Sequence, residues 1–127
     1  MSDYTITNLK EIDDSAAENP GLEARFGRSH LDSEHLGVSY FHYGPGVRSP
    51  MGHSHREQEE VYVIVSGSGR IKVGDEIRDL RAWDAIRVAP STVRAFEAGP
   101  DGLEVLAVGA DRPEGGDGVR VDGFWDD

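Results

Sequence analysis

The sequence predicts an all-β fold, a small antiparallel barrel or sandwich, and three observations carry that prediction. Sixteen glycines and six prolines cut the chain into short segments. Those segments are rich in Val, Ile, Tyr and Phe, residues that suit a pleated surface. Helical periodicity is nearly absent. At 127 residues there is room for one domain with one core. Within it, residues 1–36 read as N-terminal strands and a loop packing on the barrel, 37–109 as the barrel core and 110–127 as an acidic Gly/Asp-rich tail.

The elements follow in order. A first strand is expected around Tyr4 to Leu9, then an acidic turn or loop from Glu11 to Asn19, then a strand around Leu22 to Ser29. Gly37 to Tyr43 reads as a strand ended by Gly44-Pro45-Gly46, because proline cannot donate to a ladder and glycine tolerates the turn. Met51 to His55 follows, then a polar turn of Arg56, Glu57 and Gln58. Val61 to Val65 is the most strand-like piece, and Gly67-Ser68-Gly69 reads as the turn that closes it. Arg70 to Val73 and Glu76 to Leu80 form a hairpin about Gly74-Asp75. Ala85 to Val88 and Val93 to Glu97 flank a turn at Ala89-Pro90-Ser91, and Leu103 to Val108 completes the set. In the tail, Phe124 and Trp125 should dock, since large aromatics near a terminus rarely stay in water. Val61, Val63 and Val65 alternate with Tyr62 and Ile64, so both faces of that strand are apolar. Either a second sheet or a second copy of the chain should cover the outer one, and a homodimer is the simplest form of the latter.

Composition narrows the partners. A net charge of -11 repels phosphate backbones and anionic membrane surfaces, so neither nucleic acid nor membrane is expected. The polar, acidic first residues and the lack of a long apolar run read as a cytoplasmic protein. With no cysteine, any metal must be held by nitrogen and oxygen. No glycine-rich phosphate loop, Gly-x-Ser-x-Gly elbow or HExxH helix occurs.

Chemistry concentrates in GHSHREQEEVYVIVSGSG. His53 and His55 lie two apart, so on a strand both imidazoles point to one face. Glu60 opens the next strand after a four-residue turn, where its carboxylate can meet the same rings. Two imidazole nitrogens and a carboxylate suit Fe, Mn, Zn, Ni or Cu, with positions left for a small-molecule ligand.

This segment resembles the first motif of the cupin family. His53-x-His55, four residues, Glu60, six residues and Gly67 fall in its register, while the upstream Gly46 is displaced by one. The resemblance covers roughly 37–108. It implies a cupin-type antiparallel jelly-roll β-barrel, the double-stranded β-helix, commonly dimeric, with the two His, the Glu and one further His holding a metal inside.

The second cupin motif is not matched. Laid over Trp83 to Ala98, its Gly, Pro, Gly, His and Asn fall on Trp83, Ala89, Ser91, Arg94 and Ala98. Arg94 cannot ligate a metal, because guanidinium stays protonated and offers no lone pair. Two states stay open from the residues. In one the site is metal-free and Arg94 pairs with Glu60. In the other a three-ligand metal site persists and Arg94 clamps an anionic substrate.

The surrounding residues divide similarly. Tyr62 and Ile64 share Glu60's face and should line the cavity beneath it, with Tyr62 as a polar contact. His42 is a candidate replacement ligand or a hydrogen-bonded strand histidine, and Arg48 an anion gate or a solvated loop arginine. Gln58 and Glu59 should face water, and Trp83 should pack the barrel end. The expected function is capture of a small polar or anionic molecule in the barrel, through a divalent metal if one is held. The alternative is a metal-dependent dioxygenase, isomerase or lyase acting on a small organic acid or phenolic compound.

Overall fold

A computed structural model describes residues 3–127. Among these residues, eight antiparallel strands curl into a jelly-roll barrel, with one short helix beside it. The elements are β1 (Leu22–Phe26), α1 (Arg28–Leu31), β2 (Gly37–Tyr43), β3 (Gly52–His55), β4 (Glu60–Val73), β5 (Glu76–Arg81), β6 (Ala85–Val88), β7 (Arg94–Gly109) and β8 (Gly118–Val121). No described helix is long and apolar enough to cross a membrane.

Two long strands organise the barrel. One half of β7, Leu103 to Gly109, lies between β2 and the start of β4, while its other half, Arg94 to Ala98, pairs with the end of β4. Both strands therefore run the length of one curled sheet. The core lies between them, built from Tyr43, Tyr62, Ile64, Ile71, Leu80, Val88, Phe96, Leu103 and Val105.

Gly67-Ser68-Gly69 is accordingly not a turn. β4 runs through it, with register irregularities between Ile64 and Ser66 and between Gly67 and Gly69 that bend the strand. A Cβ on Gly67 would stand 2.1 Å from the Gly102 carbonyl oxygen, and one on Gly69 2.2 Å from that of Glu97. The glycines admit a close approach of two backbones, a need that composition cannot separate from a turn. Val93 to Glu97 and Leu103 to Val108 likewise merge into the one strand β7.

Other expectations also change. Tyr4 to Leu9 forms no strand, and Tyr4 and Ile6 are exposed, because no ladder partner reaches them. The segment after β1 turns into α1 at Arg28 rather than staying extended to Ser29. Trp83 is exposed instead of packing the barrel end. It sits at φ 74 in the turn between β5 and β6, where its amide bonds the Ile64 carbonyl and its ring projects away. On β4 the inner residues Tyr62 and Ile64 are buried, whereas Val61 is exposed and Val63 and Val65 are half-buried, so no second sheet covers that outer face.

The C-terminal segment is built into the barrel. β8 pairs with β3 along its length, from Gly52 against Val121 to His55 against Gly118. Beyond it the Phe124 ring packs over Gly52 and Val93. Trp125 lies under the guanidinium of Arg48, 4.3 Å from its ring centre.

Candidate functional site

β3 carries His53 and His55 on its inner face, and β4 begins at Glu60 directly across the turn. Candidate ligand atoms of the three side chains lie within 4.8 Å of one another. Nε2 of His55 is 3.1 Å and Nε2 of His53 3.7 Å from Glu60 Oε1. The rings of the two histidines stand edge to face, 5.3 Å apart.

Arg94 opens β7 as the registered neighbour of His53, so it reaches the cluster from the position at which the second motif would place its histidine. Its side chain has no exposure. Nη2 donates to Glu60 Oε1 at 2.7 Å and Nε to the Tyr62 hydroxyl at 3.1 Å, while Nη1 faces the carbonyls of Thr92 at 2.8 Å and Pro90 at 3.2 Å. A buried guanidinium is tolerated only when so many of its donors are met. All three nitrogens are engaged, and Arg94 is not among the residues that line the cavity.

The Tyr62 hydroxyl donates to Glu60 Oε1 at 2.5 Å and lies 3.4 Å from His53 Nε2. Burial, reinforced by the Glu60 charge, pushes its pKa far up and keeps it a donor. Burial alone would raise the Glu60 pKa, but the neighbouring His53, His55 and Tyr62 outweigh it and hold Glu60 well below the carboxylate range. The Glu60 carboxylate beside it raises the His55 pKa, with Asp117 assisting against burial and Arg94.

The cluster lines a cavity of about 590 Å³. Leu22, Phe26, Phe41, Met51 and Phe96 form much of its wall. Gln58, expected in water, is buried: its amide Nε2 donates to the Ala110 carbonyl at 3.0 Å over the bare backbone of Gly109. Glu59 does face solvent, beside Arg87.

Two candidates lie elsewhere. His42 points to the outside of β2, its Nδ1 3.5 Å from Glu23, and does not line the cavity. Arg48 donates to Glu97 at 2.6 Å and to Asp127 at 3.1 Å, also away from the cavity. A residue absent from the sequence reading is Asp117, whose Oδ1 meets His55 Nδ1 at 2.8 Å. In a Gly/Asp-rich segment no local signal marks one aspartate, and only the pairing of β8 with β3 selects it.

The residues fit a divalent ion. The donors are two nitrogens and an oxygen, and His55 Nε2 is buried with no hydrogen-bond partner, its approach to Glu60 being off the line of a bond. Arg94 supplies a competing cation but bonds neither histidine.

Comparisons with known proteins agree with the fold. A family model described as Cupin domain matches residues 39–109. No curated protein matches. Among solved structures, a cupin protein from Bacteroides fragilis is similar at 27% identity and TM-score 0.73, over 87% of this chain and 86% of that one. Oxalate decarboxylase from Bacillus subtilis is similar at 22% identity and TM-score 0.75, over 91% of this chain but 32% of its own. A sugar phosphate isomerase from a cupin superfamily, from Silicibacter pomeroyi, is similar at 18% identity and TM-score 0.71, over 85% of this chain and 76% of that one.

Proposed function

The chain belongs to the cupin family, and from that premise we propose that it binds a small organic molecule inside its barrel, head first against a divalent metal held by His53, His55 and Glu60. One observation carries the reading: a cavity of about 590 Å³ is lined by three residues whose ligand atoms lie within 4.8 Å of one another. An ion there supplies a Lewis acid for an anionic head such as a carboxylate or phenolate. The apolar wall of Leu22, Phe41, Met51 and Phe96 favours an apolar or aromatic body behind that head. Arg94 holds Glu60 in place and balances its charge, leaving recognition to the histidines and the wall.

A second reading, catalysis of the dioxygenase, isomerase or lyase type on such a compound, is favoured by the Tyr62 hydroxyl. It sits between Glu60 and His53, where it can hold and pass a proton. We place the protein in the cytoplasm as a homodimer formed through the open face of β4.

Calorimetry on chelator-stripped, untagged protein tests the first reading. Zn, Mn and Ni should bind one per chain, and binding should vanish in His53→Ala and Glu60→Gln. Parent protein that takes up none of the three removes the metal, and aromatic carboxylates that bind equally with and without metal remove its role.

A further inference from the structure

The C-terminal strand brings one side chain to the cluster that neither cupin motif supplies. Asp117 immediately precedes β8, and its side chain is fully buried. Oδ2 accepts the backbone N–H groups of Glu57 at 2.8 Å and Gln58 at 2.7 Å, and Oδ1 meets His55 Nδ1 at 2.8 Å. Its backbone carbonyl accepts from Arg56 N at 3.1 Å. One residue thus clasps the turn that separates the histidines from Glu60.

The chemistry of these partners fixes a proton. Backbone amides only donate, so the carboxylate serves as an acceptor on all sides. Oδ2 is taken by the two backbone N–H groups, which leaves Oδ1 to face the imidazole as an acceptor. His55 Nδ1 must then be the donor. In the neutral ring the proton sits on Nδ1, and Nε2 carries a lone pair toward the cavity cluster. Nε2 is also buried and makes no hydrogen bond, Glu60 Oε1 standing 3.1 Å away but off the line of one, an arrangement that is costly unless something binds there.

Resting on the metal reading above, we propose that Asp117 is the positioning residue of the site: it orients the His55 ring and keeps its proton on Nδ1, so that Nε2 is free to ligate. The carboxylate acts through His55 and does not itself touch the ion.

Asp117→Asn tests this with little change of shape. The amide oxygen can still accept from Glu57 and Gln58, but the NH2 group then faces His55 Nδ1 and can only donate. Nδ1 becomes an acceptor and the proton moves to Nε2. Long-range 1H–15N correlation on metal-free protein, at a pH where His55 is neutral, reads the tautomer, and Zn2+ titration reads affinity. The parent should show the Nδ1–H form. The variant should show Nε2–H, and its Zn2+ affinity should fall roughly 10- to 100-fold. An Nε2–H ring in the parent overturns the proposal. So does a variant that loses Zn2+ affinity with its tautomer unchanged, since that marks a structural clasp alone. If the variant does not fold, the parent tautomer still decides. Parent protein with Nδ1–H that takes up no Zn2+ refutes the metal reading and leaves Asp117's hold on the ring supported.

Discussion

Arg94 and Glu60 form a 2.7 Å ion pair in which the arginine side chain has no contact with water. Removing one partner of such a pair strands the other charge, at a cost of about 3–5 kcal/mol. Arg94→Met should therefore destabilise metal-free protein by about that amount in urea titrations. It should also tighten Zn2+ binding, because the cation that competes for Glu60 is gone. Arg94→His should tighten it further by adding a nitrogen beside His53. A loss of under about 1 kcal/mol for Arg94→Met would mean that the pair contributes no more than an exposed one.

The same cluster sets the pH dependence of metal-free protein. His55 titrates above its ordinary 6.5 in the fold, chiefly through Glu60, so its contribution is complete below 6.5 and is lost as pH rises through the folded value. Glu60 titrates below its ordinary 4.5, burial being outweighed by the neighbouring His53, His55 and Tyr62, so its contribution is complete above 4.5 and is lost as pH falls. Stability should thus be greatest between 4.5 and 6.5. Urea midpoints across buffers check this, and a midpoint still climbing from pH 7 to about 9 contradicts it. Added Zn2+ should shift the optimum upward, because the ion requires a neutral His55 ring.

The glycines at the bend of β4 give a prediction about the scaffold. Gly67 adopts φ 80, and a Cβ there meets a backbone carbonyl that cannot swing aside. Gly67→Ala should cost about 1–3 kcal/mol, measured by denaturation, with the barrel retained. Gly74→Ala serves as the comparison, since its φ is 59 but its Cβ would meet nothing within 4 Å. Equal costs at the two positions would show that the backbone angle, and not the close approach, sets the penalty.

Why some of this was legible and some was not follows from sequence distance. His53, His55 and Glu60 lie within one strand, one turn and the next strand, so period-two alternation alone places them together. Arg94 was reachable through an aligned motif, and its register beside His53 agrees with that alignment. Asp117 and Gln58 were invisible, because their burial depends on β8 returning to β3 across sixty residues of chain. Tyr4 to Leu9 has strand-like alternation, yet alternation makes a strand only where a partner edge receives it. Trp83 shows the converse: its left-handed backbone, unusual for a bulky residue, turns outward a ring that composition assigns to the core.

The open face of β4 yields a prediction about assembly. Val61 is exposed and Val63 and Val65 are half-buried, a row too apolar to leave wet. Light scattering at micromolar concentration should report about twice the 13.9 kDa chain mass. Val61→Arg should return the protein to one chain mass without changing its circular dichroism. A parent monomer would leave this face for another partner.

The wall of the cavity separates recognition of the ligand's body from recognition of its head. Phe41 lines the cavity from β2, and its ring meets Phe26 edge to face at 5.6 Å. Its ring offers no metal-ligating atom, so Phe41→Ala should leave Zn2+ affinity unchanged. Burying a phenyl ring is worth about 1.5–3 kcal/mol, and about 1.4 kcal/mol is a factor of ten. Phenylacetate should therefore bind Zn2+-loaded Phe41→Ala at least about tenfold more weakly than parent. Acetate, which has the head and no body, should bind both alike. Gluconate provides the opposing case, with the same carboxylate on a body that must shed its hydration to enter an apolar wall. If parent protein prefers gluconate to phenylacetate, the wall does not select the ligand, and the polar end of the cavity near Gln58 and Glu60 governs recognition instead.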